Sequence, residues 1–201
     1  MLACRDMDGE TGAVLLERAR AGSSEALGAL LERSARKLLA LIRLRLGPRL
    51  RARLESRDIL QATLLNAIER FGSFEGNQAG SLMAWLARIA ENEIRDQADF
   101  HSAQRRDAAS AVPLEAIPGV ERLAARVRSQ TSRIALGEQL TRLERALETL
   151  DPDQRDVIIL RRLQELTFSE VAERMDRSPD ACRMLFARAM TRLTLAMDER
   201  P

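Results

Sequence analysis

The chain has 201 residues, 45% of them hydrophobic, and a formal net charge of +2. That length allows one large domain or two small ones, and so small a charge excludes a global basic field. No apolar run reaches the roughly 18–20 residues of a membrane span, residues 1–12 carry acids and no apolar centre, unlike a signal peptide, and Cys4, Cys182 and the single His101 supply neither a disulfide framework nor a zinc site.

Aromatic residues are 3% of the chain and Tyr is absent. β-Branched and aromatic residues favour strands, whereas Leu, Ala and Arg favour helix, so an all-α fold is expected. The pattern is helical over residues 14–46, with a break at Gly22-Ser23-Ser24, and Gly47-Pro48 ends or kinks it. Ser56 or Arg57 opens the next helix, which points Ile59, Leu60, Thr63, Leu64 and Ala67 inward and has Phe71 near its end. A polar loop from Gly72 to Gly80 follows, and Ser81 is the expected N-cap of a helix through Trp85, Leu86, Ile89 and Ile94. Residues from Gln97 to about Arg133 look like a linker with Pro113 and Pro118, and a short amphipathic piece is expected at residues 120–127.

A second unit then begins. Leu140, Leu143, Leu147 and Leu150 share one helical face. Asp151-Pro152-Asp153-Gln154 offers an N-cap, a Pro at the first helical position and a box-like Gln. Thr167-Phe168-Ser169-Glu170 is a capping box, and Ser178-Pro179 starts the last helix. The expected domains are residues 1–100, a linker over 101–135, and residues 136–201, with no internal repeat.

The last two helices, joined by a tight turn, have the form of a helix-turn-helix. Val171, Ala172 and Met175 are apolar on the first, and Cys182, Phe186, Ala189 and Leu193 form a stripe on the second. The opposite face carries Asp180, Arg183, Met184, Ala187 and Arg188, with Arg177 in the turn. A helix fits the DNA major groove, where its N-terminal residues read base edges and Arg holds guanine or phosphate. The charges divide accordingly: residues 137–176 hold ten acids and six basic residues, residues 177–192 one acid and four basic residues. A plain helical hairpin with a solvated Arg face has the same pattern.

The segment 151–195 resembles region 4 of bacterial sigma factors. The resemblance rests on Leu150-Asp151-Pro152-Asp153-Gln154-Arg155-Asp156-Val157, on Val171-Ala172-Glu173 and on Ser178-Pro179-Asp180-Ala181-Cys182-Arg183. Independently, Arg57-Asp58-Ile59-Leu60-Gln61-Ala62-Thr63 is similar to region 2.2. Ser81-Leu82-Met83-Ala84-Trp85-Leu86-Ala87-Arg88-Ile89-Ala90-Glu91-Asn92 is similar to regions 2.3 and 2.4. The small size points to the extracytoplasmic-function (ECF) type of the sigma-70 family.

The resemblance implies a transcription initiation factor with two small helical domains joined by a flexible linker. Its partners would be core RNA polymerase, through the β′ and β subunits, and promoter DNA. Many members are also held by an anti-sigma factor wedged between the domains, which this linker permits. Asp58 and Gln61 would dock on the polymerase β′ coiled coil. Asn77, Gln78 and Ser81 would capture an extruded base of the −10 element, and Arg88, Asn92 and Arg95 would hold promoter phosphates. Arg177, Asp180, Arg183, Met184, Ala187 and Arg188 would meet the −35 element. Trp85 is a core or pocket-wall residue in this scheme. No cofactor or metal is implied, and no enzymatic activity; the factor would be cytoplasmic.

This sequence departs from the family pattern at Ala181, Cys182, Met184, Leu185 and Met190, where Thr, Val and polar or basic residues are common. That implies either a weaker −35 contact or one with more apolar contact to thymine methyls. The stretch from Arg36 to Arg57 holds eight basic residues against the single acid Glu55. Phosphate neutralisation, a solvated face and a polymerase contact all suit it. Two rival functions are a helix-turn-helix regulator acting without polymerase, against which the Asp58/Gln61 and Trp85 motifs argue, and a helical adaptor or enzyme. No nucleophile–base set, metal-ligand spacing or phosphate loop supports the enzyme.

Overall fold

Leucines recurring every three or four residues decide the architecture, because each amphipathic helix must cover its stripe with another. The computed structural model describes residues 11–51, 54–76, 79–103, 123, 125 and 138–198, and contains no strand among them. It divides into two units, residues 1–134 and 135–201.

In the first unit, α1 (Gly12–Arg20), α2 (Ser24–Arg51), α3 (Ser56–Arg70) and α4 (Ala79–Ala103) pack around one core. Leu15 and Leu16 of α1, Leu31, Leu38 and Ile42 of α2, Leu60 and Leu64 of α3, and Leu82 and Leu86 of α4 are all buried. Full burial of such a side chain stabilises by roughly 1.5–3 kcal/mol. Two buried hydroxyls bond within their own helices, Ser34 Oγ to the Leu30 carbonyl (2.9 Å) and Thr63 Oγ1 to the Ile59 carbonyl (2.7 Å).

The Gly22 break and the inward residues of α3 stand as expected. Gly47 is non-helical, with φ 61° and ψ 171°, and puts a kink between two helical stretches of α2. The following Pro48 disfavours the helical region for residue 47, and glycine accepts the left-handed alternative.

Two expectations are corrected. α4 starts at Ala79, so Ser81 lies inside its first turn and is not the N-cap. The same helix continues past Gln97 to Ala103, because Ile94 is still buried and no breaker follows it at once. Pro113, Pro118 and most of residues 120–127 lie outside the described residues.

The second unit comprises α5 (Glu138–Glu148), α6 (Pro152–Ile158), a π-helical turn (Ile159–Leu163), α7 (Phe168–Met175) and α8 (Pro179–Asp198). α5, α6 and α7 each pack on α8. The π turn, closed by Gln164 N–H on the Ile159 carbonyl (3.0 Å), inserts a residue into the register. Val157, Ile158, Ile159 and Leu160 are buried in succession around its start.

Asp151 is the N-cap of α6 and Pro152 begins it, but neither Asp151 nor Gln154 bonds the helix end as a capping box would. Both accept instead from the Arg192 guanidinium of α8, at 2.7 and 2.9 Å. The guanidinium brings a full cation to the Asp151 carboxylate, and the free N–H groups at the exposed helix start are left to water. Arg155 closes the other end of the joint, donating to the Leu147, Glu148 and Leu150 carbonyls at 2.9, 3.2 and 3.3 Å. These carbonyls terminate α5, where cations are favoured.

Candidate nucleic-acid interface

The helix-turn-helix of the second unit is built by its caps. Thr167 and Glu170 form a reciprocal capping box at the start of α7. The Glu170 N–H donates to Thr167 Oγ1 (3.3 Å), and the Thr167 N–H and hydroxyl both donate to Glu170 Oε2 (2.7 Å each). α7 ends at Asp176, a left-handed residue with φ 51°, and the Arg177 N–H bonds the Ala172 carbonyl (3.0 Å). Ser178 Oγ then accepts from the Ala181 N–H (3.1 Å) and caps α8. Cys182, Ala189 and Leu193 are buried beneath α8, with Phe186 half-buried against Phe168. Asp180, Arg183, Met184, Ala187 and Arg188 stand exposed on the other side, and Arg177 is exposed in the turn.

The Thr167 hydroxyl and N–H hold the Glu170 carboxyl below the usual carboxylate range. A carboxyl depressed in the folded state stabilises above its unfolded value and loses that contribution as pH falls through the folded value. Thr167→Ala is expected to destabilise the second unit by about 1 kcal/mol at neutral pH, and by less at about pH 3. Urea unfolding at both pH values measures this; equal losses would remove the pH link.

Arg183 and Arg177 are not loose cations. Arg183 pairs with Asp180 and lies 5.6 Å from the Phe168 ring centroid. Arg177 pairs with Asp153 at the start of α6. Arg161 lies 5.1 Å from the Phe168 centroid, and Arg162 lies 5.6 Å from that of Phe186. Phe168 and Phe186 meet edge to face at 5.7 Å. Arg161, Arg162 and Phe168 thus join the Arg183 surface although sequence reasoning had not included them. Their signal is spacing across a π turn, which periodicity does not reveal.

In the first unit, Phe71, Phe74 and Trp85 form an aromatic cluster, with Trp85 5.2 Å from Phe74 and 6.4 Å from Phe71. Trp85 is half-buried there. About one, two and three turns beyond it, Arg88, Asn92 and Arg95 are exposed along α4, and Asn92 Oδ1 accepts from Arg95 (3.2 Å). Asp58 is exposed and Gln61 half-buried in the first two turns of α3. Asn77 and Gln78 lie outside the described residues, as does the side chain of Ser81.

Beside the α4 surface, burial raises the Glu93 carboxyl above its usual range, opposed by the hydrogen bond from the Asn66 amide. Arg45 of the basic stretch on α2 pairs with Glu91 of α4 at 3.5 Å. That member of the cluster therefore joins two helices of the unit.

Residues 140–193 match the family model for sigma-70 region 4. Over 187 residues the chain is 30% identical to the ECF RNA polymerase sigma factor SigD of Mycobacterium tuberculosis, covering 93% of this chain and 84% of SigD. The chain belongs to the ECF RNA polymerase sigma factors. ECF sigma factors bind core RNA polymerase and direct it to promoters for transcription initiation. The chain is also 31% identical over 192 residues to the ECF sigma factor BldN of Streptomyces coelicolor, covering 94% of itself and 66% of BldN's length. The sigma factor RpoE in its co-crystal structure with the anti-sigma factor NepR, from Bartonella quintana, aligns at 22% identity with a TM-score of 0.46, over 85% of this chain and 94% of that one. No helix of this ECF sigma factor is long and apolar enough to cross a membrane among the described residues.

Proposed function

We propose that this sigma factor reads a two-part promoter, one part with each unit, and acts in the cytoplasm by binding alone. The second unit meets the −35 element as duplex DNA through Arg177, Asp180, Arg183, Met184, Ala187 and Arg188. The observation that carries this reading is the division of α8, with Cys182, Ala189 and Leu193 buried and the Arg183–Arg188 face exposed directly after a capped turn. Met184 is 57% exposed in the middle of that face, an apolar side chain with the right chemistry for a thymine methyl. Arg161 adds a cation at the rim, suited to phosphate.

The first unit serves the −10 element. Asn77, Gln78 and Ser81 receive an extruded base, whose unstacking costs a few kcal/mol and is offset by a polar pocket. Arg88, Asn92 and Arg95 lie along one exposed side of α4 and suit phosphate oxygens or bases of the opened strand. Asp58 and Gln61 on α3 hold core RNA polymerase, a carboxylate and an amide being matched to arginine and backbone groups. Catalysis belongs to the polymerase; this chain contributes affinity, register and strand separation.

Selection of promoter fragments from a random DNA library by reconstituted holoenzyme tests the reading. Two separated blocks of preferred sequence are expected, and a single block would overturn it. Asp58→Ala is expected to weaken core binding by about tenfold while −35 duplex binding is kept. Titration of labelled core polymerase measures this, and unchanged affinity removes Asp58 from the contact.

A further inference from the structure

Arg20 is the last residue of α1, and its side chain reaches the segment that joins α3 to α4. Its guanidinium donates a hydrogen bond to the Gly76 carbonyl and lies 5.5 Å from the Phe74 ring centroid. Phe74 is buried, with Phe71 at 5.9 Å and Trp85 at 5.2 Å on its other contacts. One cation therefore ties two points of the chain, residues 74 and 76, to α1. Gly76 immediately precedes Asn77 and Gln78.

This tie is not needed to dock α1. Leu15, Leu16 and Ala19 are buried and do that, whereas Arg20 is exposed. What it restrains is the stretch from Phe74 to Gly76, which belongs to no helix and so has no helical hydrogen bonds to fix it. A recognition segment that is ordered before binding loses less entropy on binding. A charge-assisted bond to a carbonyl and a cation over a ring are both suited to that ordering.

We propose that Arg20 is a positioning residue for −10 recognition. It holds Phe74 and Gly76, the residues that lead into Asn77 and Gln78 in the sequence. The inference rests on the assignment of Asn77 and Gln78 to the −10 element made above. Arg20 itself touches no base. Its loss affects discrimination at the −10 positions and spares both the −35 contact and the polymerase contact.

The test uses holoenzyme made from core RNA polymerase and the full chain, given a duplex library randomised across both elements. Arg20→Met, Arg20→Lys and Asn77→Ala are compared with wild type. With Arg20→Met, enrichment at the −10 positions is expected to fall about tenfold, the size of one lost charge-assisted bond. Enrichment at −35, affinity for core and Tm are expected to be retained. Arg20→Lys, which keeps a donor and a cation, restores part of the −10 preference. If Asn77→Ala flattens the −10 preference and Arg20→Met does not, the positioning role is wrong and the −10 assignment stands. If neither variant changes it, the −10 assignment fails and the positioning role with it. A loss at both elements that follows a fall in Tm also overturns the proposal, because it marks a purely structural contact.

Discussion

Replacing Arg183 with alanine is expected to reduce promoter-specific transcription by roughly tenfold to a hundredfold, with core binding intact. A bidentate guanidinium contact to a base or phosphate contributes about 1–3 kcal/mol, which sets that range. Arg183→Ala should exceed Arg188→Ala for a reason specific to this structure. Arg183 neutralises Asp180 in the first turn of α8 and rests over Phe168. Its removal leaves a carboxylate facing DNA without its cation, so repulsion adds to the lost contact. Asp180→Asn in the Arg183→Ala background should recover part of the loss. Both arginines are exposed, so truncation changes stability by at most about 0.5 kcal/mol. Multi-round transcription on a selected promoter, alongside core titration, measures the effect. A parallel fall in core affinity would place the α8 face against polymerase instead of DNA.

The second large effect is on stability. Leu86→Ala is expected to destabilise the first unit by about 3–5 kcal/mol, because a buried leucine leaves a cavity that the surrounding helices close only in part. Leu86 is fully buried on α4, two residues before exposed Arg88. Against a typical domain stability of about 5–15 kcal/mol this is a large share. Trp85 is the single tryptophan of the chain, so tryptophan fluorescence follows the first unit alone. Its unfolding midpoint should fall sharply in urea, while the transition of the second unit seen by circular dichroism stays in place. A shift of fluorescence midpoint equivalent to under about 1 kcal/mol would mean that α4 does not depend on this packing. The −10 preference should fall with the unit, since Arg88, Asn92 and Arg95 ride on the same helix.

Much of this was legible in the residues. The capping box at Thr167 and Glu170 and the cap at Ser178 are local hydrogen-bonding patterns, and both form as expected. The stripe of Cys182, Ala189 and Leu193 needs only the helical period. Local chemistry misled where a distant partner competed. Asp151 and Gln154 resemble a cap and bind Arg192, a residue of α8. Ser81 resembles an N-cap, and α4 starts two residues earlier. A polar residue near a helix start satisfies several registers equally well, and packing selects among them.

The sequence by itself determined the helical class, the order of the helices and the exposed face of α8. Each of these follows from periodicity and short-range hydrogen bonding, which depend on neighbours in the chain. Only the tertiary structure decided what holds the arginine side chains. The π turn that brings Arg161 onto Phe168, the Asp153 pairing of Arg177 and the reach of Arg20 to Phe74 and Gly76 join residues from different elements. Guanidiniums sit on long flexible stems, and spacing along the chain does not say which carbonyl, carboxylate or ring will lie within reach once the helices pack.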